Sequence, residues 1–305
     1  MKRIVFMGTP DYATKIFERL LNSSYEVVAL YTQPDKPVGR KQILTPPHIK
    51  QYCLDNSLDL PIYQPLKLKN NKEVEDEIKA LEPDFIVVAA YGQILPKEIL
   101  ELAPCINLHA SLLPKYRGAS PIQEALLNGD EFTGVSSMLM EEGLDSGDIL
   151  GLKYLKITPT MDVVEAFNKL SDIAADLTIT TLDNYENISP KKQNETDLSF
   201  CKKIKKENGL VDFTNGKKLY LKYKAYSFWP GIFLENGLKL KDVKLVDEGS
   251  ENEEGVILQI NNNSIVVACK KGSLEIGTIQ APSKKAINAV DYLKGKRLTL
   301  GDKLQ

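Results

Sequence analysis

Cysteine is scarce and scattered in this chain of 305 residues. Cys53, Cys105, Cys201 and Cys269 form no C-x-x-C pair, which argues against a zinc knuckle and against a disulfide framework. Such spacing suits a reducing cytosol. There are two histidines, His48 and His109, and no H-E-x-x-H, so no metal site is expected. No apolar run approaches the roughly 18 residues of a membrane span. The opening Met1-Lys2-Arg3 with its apolar run at 4–7 starts like a signal peptide, but Gly8-Thr9-Pro10-Asp11 ends it too soon. A cytoplasmic protein with no membrane partner is therefore expected. That turn carries one glycine of G-x-G-x-x-G, and no acidic residue ends the second apolar run, which argues against a nicotinamide cofactor.

What is present is an ordinary globular composition, 43% hydrophobic and 26% charged, with length enough for two domains. The net charge of -2 hides an asymmetry. After Cys201 there are 19 Lys and Arg against 12 Asp and Glu, and up to Cys201 there are 20 against 29. An acidic front and a basic back suggest that the tail meets a polyanion.

The first half alternates strand and helix patterns. Apolar residues at 4–7, a turn, helical spacing through Ala13, Ile16, Phe17, Leu20 and Leu21, and a second apolar run at 25–32 make a βαβ unit. Residues 84–91 carry the continuously apolar Phe85-Ile86-Val87-Val88-Ala89-Ala90, as in a parallel strand covered on both faces. The expected fold class is α/β, with a Rossmann-like, mostly parallel sheet over 1–184. Residues 185–200 turn polar and are expected as a linker. From 201 to 305, short alternating segments broken by Asn and Gly predict a small β-barrel, with Trp229 in its core.

The chemistry concentrates at residues 105–114. Asn107 and His109 share one strand face, and Pro114 ends the ladder pairing, so an amide and an imidazole leave one strand end together. In an open parallel sheet, ligands bind beyond such ends. Further on, Gly143 and Gly147 bracket Leu144-Asp145-Ser146, where the backbone can turn sharply and aim a carboxylate. If Asn107, His109 and Asp145 meet, Asp145 would orient the imidazole and favour its charged form. Imidazolium and amide could then steady the oxyanion of a tetrahedral intermediate, each donor contributing roughly 3 to 4 kcal/mol. Ser111 with His109 as base is the rival, though two residues apart is poor geometry and no G-x-S-x-G elbow exists. The segment 33–42 holds Lys36, Arg40 and Lys41 between two prolines and a glycine, and reads as a basic arm able to touch phosphates.

Asn107-x-His109, Ser111-Leu112-Leu113-Pro114-Lys115-Tyr116-Arg117-Gly118 and Gly143-Leu144-Asp145-Ser146-Gly147-Asp148 together resemble the 10-formyltetrahydrofolate-dependent formyltransferase family. Gly8-Thr9-Pro10-Asp11, Thr32-Gln33-Pro34-Asp35-Lys36-Pro37 and Ala90-Tyr91-Gly92-Gln93-Ile94-Leu95-Pro96 narrow the match to the branch that formylates methionyl-tRNA. The resemblance implies that Asn107, His109 and Asp145 are catalytic and that Ser111, Leu112, Leu113 and Pro114 bind the folate. It places the pterin at Gln93, Ile94 and Leu95 and at the backbone of Gly143 and Leu144. It makes Arg40 a tRNA contact on a mobile loop, where Lys41 replaces the usual glycine. It also implies an OB-like C-terminal barrel, in which Ser227-Phe228-Trp229-Pro230 departs from the family's Asn-Pro-Trp-Pro. The implied co-substrate is 10-formyltetrahydrofolate, the implied partner initiator methionyl-tRNA, and the expected state a monomer. A formyltransferase for a small amine, a formylfolate hydrolase and a non-enzymatic RNA-binding protein remain as alternatives.

Overall fold

In the computed structural model, which describes residues 1–39 and 41–304, the first apolar run is strand β1 (Arg3–Gly8). Then come α1 (Asp11–Leu21), β2 (Glu26–Tyr31), β3 (Lys36–Val38), β4 (Ile43–Thr45), α2 (His48–Asp55), β5 (Ile62–Tyr63), α3 (Lys72–Ala80), β6 (Phe85–Ala89), α4 (Lys97–Leu100) and β7 (Cys105–His109). They are followed by β8 (Arg117–Gly118), α5 (Pro121–Asn128), β9 (Phe132–Leu139), β10 (Ile149–Lys156), α6 (Val163–Asn184) and β11 (Phe200–Cys201).

Side chains alternate along β1, and its two faces meet different helices. Val5 and Met7 join a core with Val74 and Ile78 of α3 and Ile99 of α4. Phe6 points the other way, its ring 5.3 Å from that of Phe17 on α1. Helix α1 exists because Ala13, Ile16, Phe17 and Leu20 recur at helical spacing and are all buried. Helix α3 is started by Asn71, whose side chain accepts from the Val74 N–H.

The seven-stranded sheet runs β10-β9-β7-β6-β1-β2-β5. β1 pairs in parallel with β2 and β6, β2 with β5, and β6 with β7. β9 and β10 add an antiparallel edge. The chain winds outward from β1 through β2 and β5, then returns to β6 on its other side. The carboxyl ends of β1 and β6 therefore flank the switch point where α/β sheets bind ligands. The strand over 149–156 was not foreseen, because its residues alternate poorly between buried and exposed.

The second unit comprises Ile122–Glu131, Ile157–Ala166 and the chain from Lys202. Its later elements are α7 (Gly216–Tyr226), β12 (Ile232–Phe233), β13 (Lys239–Glu251), β14 (Ile257–Ile260), β15 (Ile265–Ala268), β16 (Lys271–Gln280), β17 (Ile287–Asn288) and α8 (Ala289–Lys296). The strands pair antiparallel in the order β12-β13-β16-β15-β14, with β17 on β16. Trp229 is not a core residue: it is 50% exposed, beside Phe228 at 84%. A large aromatic is expected to pack, but these two sit on a tight turn, where the backbone carries them outward.

Part of the segment expected as a loop is a strand: Lys36–Val38 (β3) pairs with Ile43–Thr45 (β4) as a hairpin. Its root is fixed by Lys50, which pairs with Asp35 at 2.9 Å. Gln64 donates to both the Asp35 carboxylate and the Gln33 carbonyl. Gln64 first, then Lys50, holds the Asp35 carboxyl below its ordinary range. Lys36 and Lys41 are exposed, as are Val38, Ile43 and Leu44. Arg40 lies outside the described residues.

Candidate active site at the end of β7

Strand β7 is buried along its whole length between β6 and β9, which fixes where Asn107 and His109 emerge. Both side chains are buried. Asp145 arrives from the loop between β9 and β10, and the three meet. Asn107 Nδ2 donates to Asp145 Oδ1 at 3.3 Å, and His109 Nδ1 lies 3.6 Å from Asp145 Oδ2. The second distance suits an ion pair and is too long for a hydrogen bond.

The imidazole takes its orientation from elsewhere. His109 Nε2 is 2.9 Å from the Tyr116 carbonyl oxygen, which can only accept, so Nε2 carries a proton. Nδ1 is then the ring nitrogen that can gain and lose one, and it faces the carboxylate.

Asp145 is held more firmly than its loop sequence suggests. The Gly118 N–H donates to Oδ2 at 2.9 Å. Gly118 has φ +120°, and a Cβ there would collide with the Cys201 carbonyl oxygen, so glycine is required. The positive φ of the 143–147 loop falls on Asp145 itself, at +50°, and not on the bracketing glycines. Those glycines serve close approach: a Cβ on Gly147 would strike the Leu139 carbonyl oxygen, and one on Gly143 the Ser146 hydroxyl.

A further clamp comes from Gln193, which no sequence motif marks. Gln193 Nε2 donates to the Asp145 and Gly147 carbonyls, both at 2.8 Å. Gln193 Oε1 accepts from Arg117 Nε at 3.0 Å and Nη2 at 2.7 Å. Gln193 belongs to the polar 185–200 segment expected as a linker. That segment ties down the far side of the site as well: the Tyr116 N–H donates to Ser199 Oγ at 3.0 Å, and β11 pairs in parallel with β8. A lone glutamine among lysines gives no sequence signal. The nearest hint was Arg117, a charge in a loop between two prolines.

Ser111 is no nucleophile in this arrangement. Its hydroxyl donates to the Lys115 carbonyl at 2.6 Å and makes no contact with His109. Ser136 Oγ donates to the Ser111 carbonyl and accepts from the Leu113 N–H, which pins the turn after β7 to β9. Ser111 and Leu113 are buried, and Leu112 and Pro114 are partly so. Of the three residues after Gly92, Gln93 is spent on the Leu68 N–H and the Pro65 carbonyl, and Leu95 is core. Ile94, 76% exposed, and Leu144, 51% exposed, offer open apolar surface for a flat ring.

Below the site, burial pushes the Cys105 thiol up to about 12. Burial also raises the phenol of Tyr12, whose hydroxyl donates to the Leu108 carbonyl at 3.2 Å. His48 is exposed, with Nδ1 2.9 Å from Thr14 Oγ1. It lines a separate cavity of about 390 Å³ with Asp11, Glu18, Tyr52 and Phe167, and none of the three site residues borders it. Among the described residues, no group of three His, Cys, Asp or Glu side chains is arranged for a metal ion. No described helix is long and apolar enough to cross a membrane.

Comparison with known proteins matches residues 1–182 to the family described as formyl transferase. Residues 203–297 match the formyl transferase C-terminal domain. A methionyl-tRNA formyltransferase from a Nitratiruptor species is 58% identical over 300 residues, 98% of this chain and 99% of that protein. Another, from Campylobacter lari, is 56% identical over 304 residues, covering 100% of both. A solved N-formyltransferase from Helicobacter canadensis, in complex with folinic acid and dTDP-3-aminofucose, shares the fold with a TM-score of 0.69 at 16% identity, over 92% of this chain and 100% of that one. With both of its regions matched and relatives of this similarity along its full length, the chain belongs to the formyl transferase family.

Proposed function

We propose that this chain transfers the formyl group of 10-formyltetrahydrofolate to the α-amine of initiator methionyl-tRNA, in the cytoplasm and as a monomer, for translation initiation. The observation that carries the mechanism is the meeting of Asn107, His109 and Asp145 at the end of β7. Bound 10-formyltetrahydrofolate supplies the activated formyl group. Asn107 has a second amide N–H beyond the one given to Asp145, and it donates to the charge developing on the formyl oxygen. His109, fixed through Nε2 by the Tyr116 carbonyl, offers a proton on Nδ1 to the same region. The attacking amine must shed a proton as its nitrogen bonds to the formyl carbon. Asp145 receives it, directly or through water, and the balance closes when that proton reaches the nitrogen that gives up the formyl group.

For the co-substrate, Ile94 and Leu144 would cover the ring, with Leu112, Pro114 and the Gly143 backbone around them. Ser111, Leu113, Gln93 and Leu95 would brace those walls. For the tRNA, Lys36 and Lys41 of the hairpin, together with Arg40, would meet phosphates, as would the basic 201–305 part.

The test gives the purified protein methionyl-tRNA, free methionine and a small amine, each with 10-formyltetrahydrofolate. Formylation of methionyl-tRNA alone is expected. His109→Ala should lower its rate at least about 100-fold while leaving tRNA affinity unchanged. Equal use of the small amine, or an active His109→Ala variant, would overturn the assignment.

A further inference from the structure

The turn after α7 presents two aromatic side chains to solvent on a fixed support. Phe228 is 84% exposed and Trp229 50%. The Gly231 N–H donates to the Tyr226 carbonyl at 2.9 Å and closes the turn. Ser227 Oγ donates to Asp162 Oδ2 at 3.0 Å and pins its root. Rings held outward by a braced turn lose little freedom when something covers them.

The surroundings say what that something is. Gly209 packs so closely on Pro230 and Gly231 that a Cβ would collide with the Gly231 carbonyl oxygen. The Val211 N–H donates to the Phe233 carbonyl at 2.9 Å. These contacts bring Gly209 and Val211, at the end of a short turn that starts at Lys206, against the aromatic turn, and the other lysines precede them in the chain. Lys202, Lys203, Lys205 and Lys206 are all exposed, with Glu207 the one acid among them, and Leu210 is an exposed apolar neighbour. Lysines beside outward aromatic rings are the pairing that takes nucleic acid, with phosphates on the cations and unpaired bases stacked on the rings. A hydrophobic protein partner would meet a neighbouring chain segment rich in exposed lysine.

We propose that Phe228 and Trp229 form a stacking platform for unpaired bases of the substrate tRNA, flanked by the 202–206 lysines as phosphate contacts. This rests on the tRNA-directed activity proposed above, and it adds a recognition element that works without ion pairs.

Trp229 is the chain's only tryptophan and so reports on the platform directly. Titrating the full-length protein with methionyl-tRNA should quench its emission. Phe228→Ala alters an exposed side chain and should leave the melting temperature unchanged. It should raise KM for methionyl-tRNA about 5-fold or more with kcat unchanged, the low end of what one stacked base contributes. The slope of affinity against salt should stay as it was, because stacking releases no counterions, and Phe228→Tyr should restore KM. Formylation by the unaltered protein tests the activity separately. If that activity is present while tRNA leaves Trp229 emission unchanged, or Phe228→Ala keeps KM within twofold, the platform is overturned. Concentration-dependent dimerisation abolished by Phe228→Ala would overturn it in favour of a second copy.

Discussion

The end of β7 and the β3–β4 hairpin belong to one domain and are built on opposite rules. At β7, both carboxylate oxygens and the backbone carbonyl of Asp145 accept a hydrogen bond, and the imidazole is pinned by a backbone carbonyl. Buried polar groups that all find partners hold one geometry, and a fixed geometry is what the proton transfer proposed for this site needs. In the hairpin the side-chain ties gather at the root, through Asp35, Lys50 and Gln64, while Lys36, Val38, Lys41, Ile43 and Leu44 stay exposed. In the proposed function the hairpin meets a large polyanion, for which reach and charge count for more than a fixed position.

Substitutions can break this contrast or sharpen it. The largest effect is expected from Asp145→Asn, which keeps the shape and removes the charge facing His109: kcat should fall about 100-fold or more with KM for tRNA nearly constant. A loss confined to KM would place Asp145 on the recognition side. Gln193→Leu comes next. It leaves Arg117 and two carbonyls without their partner, and we expect roughly a 10-fold lower kcat, little change in KM and partial rescue by Gln193→Asn. Unchanged kcat would mean that the loop holds Asp145 unaided. Lys36→Ala with Lys41→Ala should do least: KM a few-fold higher, kcat intact, and a salt dependence of tRNA affinity shallower by about one unit of slope per lysine. An unaltered slope would remove the hairpin from phosphate contact.

Legibility in the sequence followed the same division. Strands β1, β2 and β6 could be read because short apolar runs bounded by turns have few other uses, and β7 because Ile106 and Leu108 alternate with Asn107 and His109. Asn107 and His109 could be paired because side chains alternate along a strand. Asp145 was found through its glycines, although for a different reason than supposed, since they admit neighbouring backbone and leave the left-handed turn to the aspartate. Gln193 was invisible, because its role depends on a fold-back some 46 to 48 residues from its partners, and spacing says nothing over that distance. Trp229 was misplaced because composition rules describe the average tryptophan and not one at a tight turn.

The Gln193 clamp also bears on how the protein is made. In a chain grown from its N-terminus, Asp145 is made 48 residues before the glutamine that braces its loop. Until that glutamine emerges, the carboxylate loop lacks two of its anchors. Fragments ending near residue 182 should therefore carry the Asn107, His109 and Asp145 cluster without its brace, whereas those extended past Cys201 include every hydrogen-bond partner named for it.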